Sequence, residues 1–523
     1  MTRFFNTAGP CQPDVHYALP PERRLPELEK LIDRRSYFVV HAPRQSGKTT
    51  LFRALAARLR AQGRYAAVHA SCESGQTARG DVDRGVQSVL RSIAAQAEGL
   101  PEPQRPEAIA SFASIEGEYR LRSYLTAWSR RSSLPVVLFL DEIDALQDET
   151  LVATLRQLRD GYPDRPDQFP LAVALIGLRD VRDYQVRLDG KSETLGTASP
   201  FNVKVESLTL RNFTAAEVAE LYLQHTAETG QRWSDEALAR AFLLTRGQPW
   251  LVNALAREAV EKVVPDPRQE IDLAAIEKAK EALILRRDTH LDSLVARLRE
   301  NRVRKVLEPI LSGQLVEPDV YDDDLQFVVD LGLVTRGPNG LEIANPIYRE
   351  VLPRVLAGLL ESILPPIERS RFVKPGGELH FEALLDEFRA FWCEHAEFFL
   401  KRQPYSEAAA ELIFMAFLQR IVNGGGTIER EYGVGSGRID LLVTWPATAG
   451  KQRLAVELKV WRDEQNDPLQ KGLAQLDGYL GRLGLDHGTL ILFDRRKSAP
   501  PLPGRCSRES LDFGGRRITV ERL

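Results

Sequence analysis

Residues 41–50 read H-A-P-R-Q-S-G-K-T-T, and the apolar run 37–40 ahead of them supplies a strand. A glycine, a lysine and a hydroxyl residue between a strand and a helix suit the chemistry of gripping a polyphosphate. Gly47 lets the backbone approach the anion, Lys48 reaches β- and γ-phosphates, Thr49 offers its hydroxyl to Mg²⁺, and the following helix aims its N-terminus at the charge. Ala42, Pro43, Arg44, Gln45, Ser46, Gly47, Lys48, Thr49 and Thr50 are therefore the expected nucleotide-binding residues, with ATP and Mg²⁺ as cofactors. Ala42 departs from the pattern G-x-x-x-x-G-K-[ST], so the loop's first turn must form there without a positive φ.

Acids to match this grip stand about ninety residues on, where 135–144 read P-V-V-L-F-L-D-E-I-D. Apolar residues ending in two acids describe a buried parallel strand whose carboxyl end delivers Asp141 to Mg²⁺ and Glu142 to an attacking water. The plainer alternative is a strand capped by surface acids. A further run ends I-G-L-R-D, which puts Arg179 at the carboxyl edge of the sheet. Arg179 is a candidate for sensing the γ-phosphate, the alternative being an ordinary loop arginine.

A second chemistry lies near the C-terminus. G-S-G-R-I-D-L-L-V-T-W is followed by R-L-A-V-E-L-K-V-W, with Asp440 on the first strand and Glu457 and Lys459 on the second. Phosphodiester cleavage needs carboxylates converging on Mg²⁺ and a lysine near the attacking water or the phosphate. Glu457 and Lys459 lie two apart on a strand and project to one face; an antiparallel pairing lets Asp440 meet them across the ladder. The metal ligands expected across the chain are thus Thr49 and Asp141 at one site, Asp440 and Glu457 at the other. Glu411, on a helix over 406–422, offers an additional acid. The alternative for an E-x-K on a strand is a solvated face.

The elements that must position these residues follow from composition and period. At 523 residues, 43% hydrophobic and 27% charged, the chain can hold several well-cored domains, and its net charge of −3 gives no global attraction to polyanions. The 4 cysteines (Cys11, Cys72, Cys393, Cys506) and 8 histidines show no metal-ligand spacing, and no run approaches a membrane span, so the cytoplasm is the default address. Strands at 65–70, 136–140 and 171–176 alternate with helices, as a parallel sheet requires. From Leu208 the pattern turns helical, with Asn212 or Thr214 as a cap, a second helix near Ser234, and a break at Gly247-Gln248-Pro249-Trp250 before another helix. A helix with a basic face (Arg297, Arg299, Arg302, Arg304, Lys305), a short acidic helix ending at Gly332, and two strands turning at Pro338-Asn339-Gly340 fit a winged helix. Its acidic second helix suits packing and relay better than DNA reading. Proline joints at 365–366 and 375 read as linkers. The expected divisions are 1–205 for the nucleotide core, 206–280 for a helical lid, 281–365 for the winged helix, 366–405 for a helical linker and 406–523 for the second catalytic domain.

The succession of phosphate loop, L-F-L-D-E-I-D, helical lid and G-Q-P-W resembles the AAA+/STAND group of P-loop ATPases. F-F-N-T-A-G-P, H-A-P-R-Q-S-G-K-T-T and G-Q-P-W-L-V-N are similar to a bacterial family of AAA-like ATPases that often carry a nuclease-like C-terminal domain. The resemblance implies that Pro249 lies near the nucleotide as a conformational sensor and that the segment around Tyr17 and Arg24 flanks the base. The C-terminal element order resembles the PD-(D/E)XK nucleases, and that resemblance implies that Gln475, on the helix after the E-x-K strand, is a further catalytic candidate. The fold class implied is α/β multidomain: a P-loop NTPase parallel sheet with lid and winged helix, then a restriction-endonuclease-like domain. The expected function is an ATP-controlled, Mg²⁺-dependent nuclease acting on DNA, with RNA the lesser candidate, in defence against foreign DNA by analogy. A homo-oligomer or a protein trigger is the expected partner, and no membrane. The competing expectation is a signalling or scaffold ATPase whose nuclease-like domain only binds a partner or nucleic acid.

Overall fold

Apolar runs without alternation make strands that must be covered on both faces, and the first sheet is built from such runs. The computed structural model describes residues 3–188, 191–194, 201, 203–286, 297–298, 300–311, 316–317, 319, 322–337, 340–361, 369–402, 409–422, 425–434, 437–448, 450–463, 465–502 and 504–523. Arg299, Pro338, Asn339, Pro365, Pro366 and Asn423 lie outside the described residues. Met1–Arg287 with Asp319–Thr335 form one compact unit, and Asp288–Pro318 with Arg336–Leu523 form another.

In the first unit, β1 (Tyr37–His41), β2 (Ala66–Ser71), β3 (Val136–Asp141) and β4 (Ala172–Gly177) are followed by a small hairpin, β5 (Gln185–Leu188) with β6 (Lys191–Thr194), and then by β7 (Lys204–Thr209). The main sheet runs β2-β3-β4-β1-β7, all parallel. Neighbouring residues on one strand serve opposite cores. Val39, Val68, Leu138 and Val173 pack with α3 (Val82–Ala97), α4 (Gly117–Arg131) and α5 (Asp148–Asp160), through residues such as Leu90, Leu125 and Leu155. Val40, Ala67, Phe139 and Ala174 pack with α1 (Leu28–Asp33) and α2 (Lys48–Ala61), through Ile32, Phe52 and Leu55. This two-residue period carries Asp141 to the α2 side of the sheet.

The fifth strand, β7, is not among the strands expected from the sequence, and its last two residues, Leu208 and Thr209, fall where the pattern turns helical. β7 is an edge strand with most of its residues partly or fully exposed, so it lacks the apolar run by which the other four are recognised. The lid helices are α6 (Ala215–Thr229), α7 (Asp235–Thr245), α8 (Pro249–Glu258) and α9 (Leu273–Arg286). Thr214, not Asn212, caps α6: its hydroxyl accepts from Glu217 N at 3.2 Å, and the Glu217 carboxylate accepts from Thr214 N at 2.8 Å. The helix Asp323–Asp330 also belongs to this unit, with Asp322 accepting from the N–H groups of Asp324 and Leu325.

The second unit holds the helices Asn301–Leu311, Pro346–Glu361, Phe381–Arg402 and Ala409–Val422. A two-stranded sheet pairs β8 (Val334–Gly337), within which the division between the units falls after Thr335, with β9 (Gly340–Ile343). A six-stranded mixed sheet follows, from β10 (Thr427–Val434), β11 (Gly437–Ala447), β12 (Gly450–Trp461), β13 (His487–Asp494), β14 (Ser507–Phe513) and β15 (Arg516–Arg522), in the order β10-β11-β12-β13-β15-β14. The last two strands were not anticipated. The helix Leu469–Leu483 links β12 to the parallel β13 and packs Leu473, Leu476 and Leu480 on one face of the sheet, against Ala455, Leu490 and Val520. An aromatic group involving Phe388, Trp392 and Phe493 joins the helix Phe381–Arg402 to β13, with rings of Trp392 and Phe493 centred 5.0 Å apart. Cys393 and Cys506, 113 residues apart, meet as free thiols, although nothing in their spacing pairs them. No helix among the described residues is long and apolar enough to cross a membrane.

The capping box makes a pH-dependent prediction. Hydrogen bonds from Arg211, outweighing burial, hold the Glu217 carboxyl down to about 2 from its ordinary 4.5. A depressed folded-state value stabilises in full above about 4.5 and loses that stabilisation as pH falls toward about 2. Glu217→Gln is therefore expected to lower the urea midpoint near neutrality, with a gap to the parent that narrows from about pH 6 to about pH 3. A gap of constant size across that range would show that the charge is not what stabilises the cap.

Candidate functional site

The phosphate loop leaves the sheet at His41, and Ala42 N donates to Gly177 O on β4 at 3.3 Å. Left-handed turns occur at Gln45 (φ 58°) and Gly47 (φ 89°), so the loop closes without a positive φ at buried Ala42. A Cβ at position 47 would sit 3.2 Å from Arg24 Nη1, which donates to Ser46 O at 2.6 Å. Arg24 Nε also donates to Arg211 O at 2.7 Å, so one buried guanidinium braces the loop from behind. Burial pushes its pKa down to about 10.

Two observations bear on whether a polyphosphate fits. Lys48 Nζ donates to the loop's own carbonyls, Ala42 O at 2.6 Å and Pro43 O at 2.9 Å, and the buried Ser46 Oγ has no hydrogen-bond partner. Burial lowers the Lys48 pKa to about 8, against the pull of Asp144, Asp141 and Glu142. An ammonium with these partners gains from an anion, and a nearby hydroxyl can donate to one. The residues fit a nucleotide phosphate. Arg44 and Gln45 are exposed, and Thr50 Oγ1 accepts from Cys11 N at 3.1 Å.

Thr49 Oγ1 donates to Asp141 Oδ2 at 2.7 Å, and Asp141 Oδ1 accepts from Glu142 N at 2.9 Å. The structure adds two residues that the sequence reading missed. β2 lies beside β3 with Ser71 opposite Asp141, which brings His69 Nε2 to 3.0 Å from Asp141 Oδ2 and lets Ser71 Oγ donate to Glu142 Oε2 at 2.7 Å. Burial acts to raise the Asp141 pKa, but hydrogen bonds from His69 and Thr49 hold it below the usual range. Glu142, at φ 56°, is pushed up by burial against the bond from Ser71. Asp141 is thus kept as a carboxylate that could hold a cation, and Glu142 is the weaker acid of the two. Mg²⁺ would be held by Thr49 and Asp141, where it supplies charge for the phosphate oxygens.

Arg179 lies two residues past Gly177, yet its side chain turns to another anion: Nε donates to Asp330 Oδ2 at 3.0 Å. Pro249 is buried at the first turn of α8, after Gln248, which caps that helix by accepting from Leu251 N at 2.6 Å. Next to it, Trp250 Nε1 donates to Thr7 O at 3.0 Å, so the N-terminal segment ties the start of α8 to that of α2 through Cys11 and Thr50. Tyr17 packs its ring 4.8 Å from that of Phe5 and against His225, in the lid core.

In the second unit the β11–β12 ladder runs to the pair Leu441 and Val456, and at the next step its hydrogen bonding passes to side chains. Leu458 N donates to Asp440 Oδ2 at 2.7 Å, and Asp440 N approaches Glu457 Oε2 at 3.5 Å. Lys459 Nζ lies 2.6 Å from Glu457 Oε1 and 3.8 Å from Asp440 Oδ2. Burial and the Asp440 charge push Glu457 up to about 7, with Lys459 opposing. Burial would lower Lys459, but Asp440, Glu457 and, more weakly, Glu411 raise it. Glu457 and Lys459 share the strand parity of Ala455, which packs under the helix Leu469–Leu483. That helix carries Gln475, whose buried Oε1 has no partner, and Tyr479, whose phenol is raised by burial and by Glu457 and Asp440. Asp440, Glu457 and Lys459 are therefore brought together, with Glu411 contributing only its charge. Two crowded acids fit a divalent cation held by Asp440 and Glu457, although no group of three or more His, Cys, Asp or Glu suited to a metal occurs among the described residues.

A family model described as an AAA domain matches residues 32–185, from α1 through the strand that carries Asp141 and Glu142 to the edge of the hairpin. No curated protein matches the chain. Among solved structures, a Walker-type ATPase of Pyrococcus abyssi is similar at 15% identity over 66% of this chain and 99% of its own, with a TM-score of 0.47. The RuvB Holliday junction branch migration motor of Thermotoga maritima is similar at 18% identity over 63% and 93%, with a TM-score of 0.33. Cdc6p of Pyrobaculum aerophilum is similar at 14% over 66% and 94%, with a TM-score of 0.34. Residues 32–185 are thus similar to an AAA domain, and they hold four of the five strands of the parallel sheet together with the phosphate loop.

This geometry separates binding from turnover. Lys48→Ala is expected to lose ATP binding in a fluorescent-nucleotide titration, whereas Glu142→Gln keeps it and lowers steady-state hydrolysis about a hundredfold. Parental turnover in Glu142→Gln would remove Glu142 from the proton transfer.

Proposed function

We propose that this chain is a nucleotide-operated switch of the AAA+/STAND kind, in which ATP binding and hydrolysis in the first unit control a Mg²⁺-dependent nuclease of PD-(D/E)XK type in the second. The observation that carries it is the convergence of Asp440, Glu457 and Lys459 where the β11–β12 ladder ends, with Lys459 Nζ 2.6 Å from the Glu457 carboxylate. A buried acid such as Glu457, crowded by a second carboxylate, is costly to a fold that has no use for it. Asp440 and Glu457 would hold the cation, which supplies charge to a phosphodiester. Lys459 would orient the attacking water or the scissile phosphate, and Gln475 would contact substrate from the neighbouring helix. Within the ATPase, Lys48 and Thr49 bind the triphosphate, Asp141 orients the metal, and Glu142 takes the water's proton.

The segment from Asn301 to Glu361 would act as a winged helix that relays nucleotide state, with α6–α9 as the lid. DNA is the favoured substrate over RNA, and a second copy or a protein trigger the favoured partner. One observation supports a second reading, a signalling ATPase whose C-terminal domain only binds: Lys459 already neutralises Glu457, and two acids are fewer than most metal sites offer.

Incubation of the purified protein with plasmid and single-stranded DNA, Mg²⁺ and either ATP or no nucleotide decides between them. The parent is expected to cleave, Asp440→Ala and Lys459→Ala to lose about a hundredfold or more, and Lys48→Ala to lose the response to ATP. Cleavage that survives Asp440→Ala would overturn the site, and a parent inert in every condition would favour the binding reading.

A further inference from the structure

We propose that Arg179 and Asp330 form a nucleotide-sensitive latch, in which the Asp330 carboxylate occupies the guanidinium that a γ-phosphate would otherwise claim, so that triphosphate binding frees the segment 322–335. The inference rests on reading the first unit as an ATP-binding switch, and it names the device by which that switch is set.

Four observations meet here. The ion pair is buried: Arg179 Nε donates to Asp330 Oδ2 at 3.0 Å, with side chains 8% and 4% exposed. Its geometry is reinforced from both sides, since Gln326 Nε2 donates to Asp330 Oδ1 at 2.8 Å, Arg179 Nη1 donates to Asp183 O at 2.9 Å, and the guanidinium lies 5.0 Å from the centre of the Phe327 ring. Arg179 stands at the phosphate edge of the sheet, because it follows Gly177, which pairs with His41 and accepts from Ala42 N. Finally, the same segment touches the loop itself: Gly332 sits at φ 73°, and a Cβ there would fall 2.7 Å from Pro43 Cγ.

Asp330 and its helix therefore bridge the two groups that a triphosphate would engage, the edge arginine and the phosphate loop. A carboxylate and a phosphate compete for a guanidinium on equal chemical terms. The Arg179 backbone is held by Tyr184, whose Oη accepts from Arg179 N at 3.3 Å and donates to Arg179 O at 3.1 Å, so only the side chain is left to exchange partners. The segment is covalently continuous on both sides with the second unit, Asp288–Pro318 before it and Arg336–Leu523 after it. By linkage, whatever free energy ATP spends in opening the latch the closed latch withholds from ATP, while ADP, lacking the γ-phosphate, feels little of it.

The test compares ATP and ADP affinities by fluorescent-nucleotide competition in the parent, Asp330→Asn, Arg179→Ala and the double variant. Asp330→Asn is expected to raise the preference for ATP over ADP about fivefold or more. Arg179→Ala should abolish that preference, and Asp330→Asn should add nothing in its background. An unchanged preference in Asp330→Asn, in a protein that still binds both nucleotides, overturns the latch and leaves the ATPase reading standing. A parent that binds neither nucleotide overturns the reading beneath it. Because an unpaired buried arginine can itself loosen the segment, hydrogen exchange on the parent gives an independent arm. Amides of 323–333 should exchange faster with a non-hydrolysable ATP analogue than with ADP, and equal protection in the two states overturns the proposal.

Discussion

A parallel sheet covered on both faces has room for charge only at its carboxyl edge, and the ATPase unit follows from that constraint. Every residue of β3 is buried, so its acids must come at the end of the strand, and the two-residue period decides that Asp141 turns toward α2 and Thr49. Parallel order then sets His69 and Ser71, at the end of β2, on the same edge. A single carboxylate oxygen thereby meets a hydroxyl and an imidazole, while its neighbour Glu142 is held by a serine. The different environments push the two acids in opposite directions, Asp141 down and Glu142 up.

The second unit meets the problem differently. One of its charges, Glu457, lies inside a mixed sheet, where an unpaired carboxylate is costly, and Asp440 and Lys459 lie beside it partly exposed. Asp440 offsets this by replacing a backbone acceptor, taking the Leu458 N–H at the point where the β11–β12 pairs end. Glu457, at 2% exposure, is compensated by Lys459 two residues on. The site therefore depends on the ladder ending where it does, which is a property of the strand pair and of neither strand alone.

The desolvation of a buried ion pair can exceed its Coulombic gain, so such a pair is weak evidence for stability. Arg179 with Asp330 is such a pair, joining residues 151 positions apart. It gives the helix Asp323–Asp330 a specific place in the first unit, where Gly332, just past that helix, lies against Pro43 of the phosphate loop.

The sequence alone determined what is contiguous. The loop 41–50 and the acids 141–142 could be read because their partners are neighbours along the chain and the buried runs beside them have one period. Glu457 and Lys459 were legible as a pair because strand parity places them on one face. Tertiary structure decided what sits beside what. β7 was missed because an exposed edge strand has no apolar run, and His69 and Ser71 because nothing local says that β2 neighbours β3. The meeting of Cys393 with Cys506, and of Arg179 with Asp330, likewise rests on contacts between distant segments. Such contacts arise from many weak terms summed over a whole core, and no local pattern of residues encodes that sum.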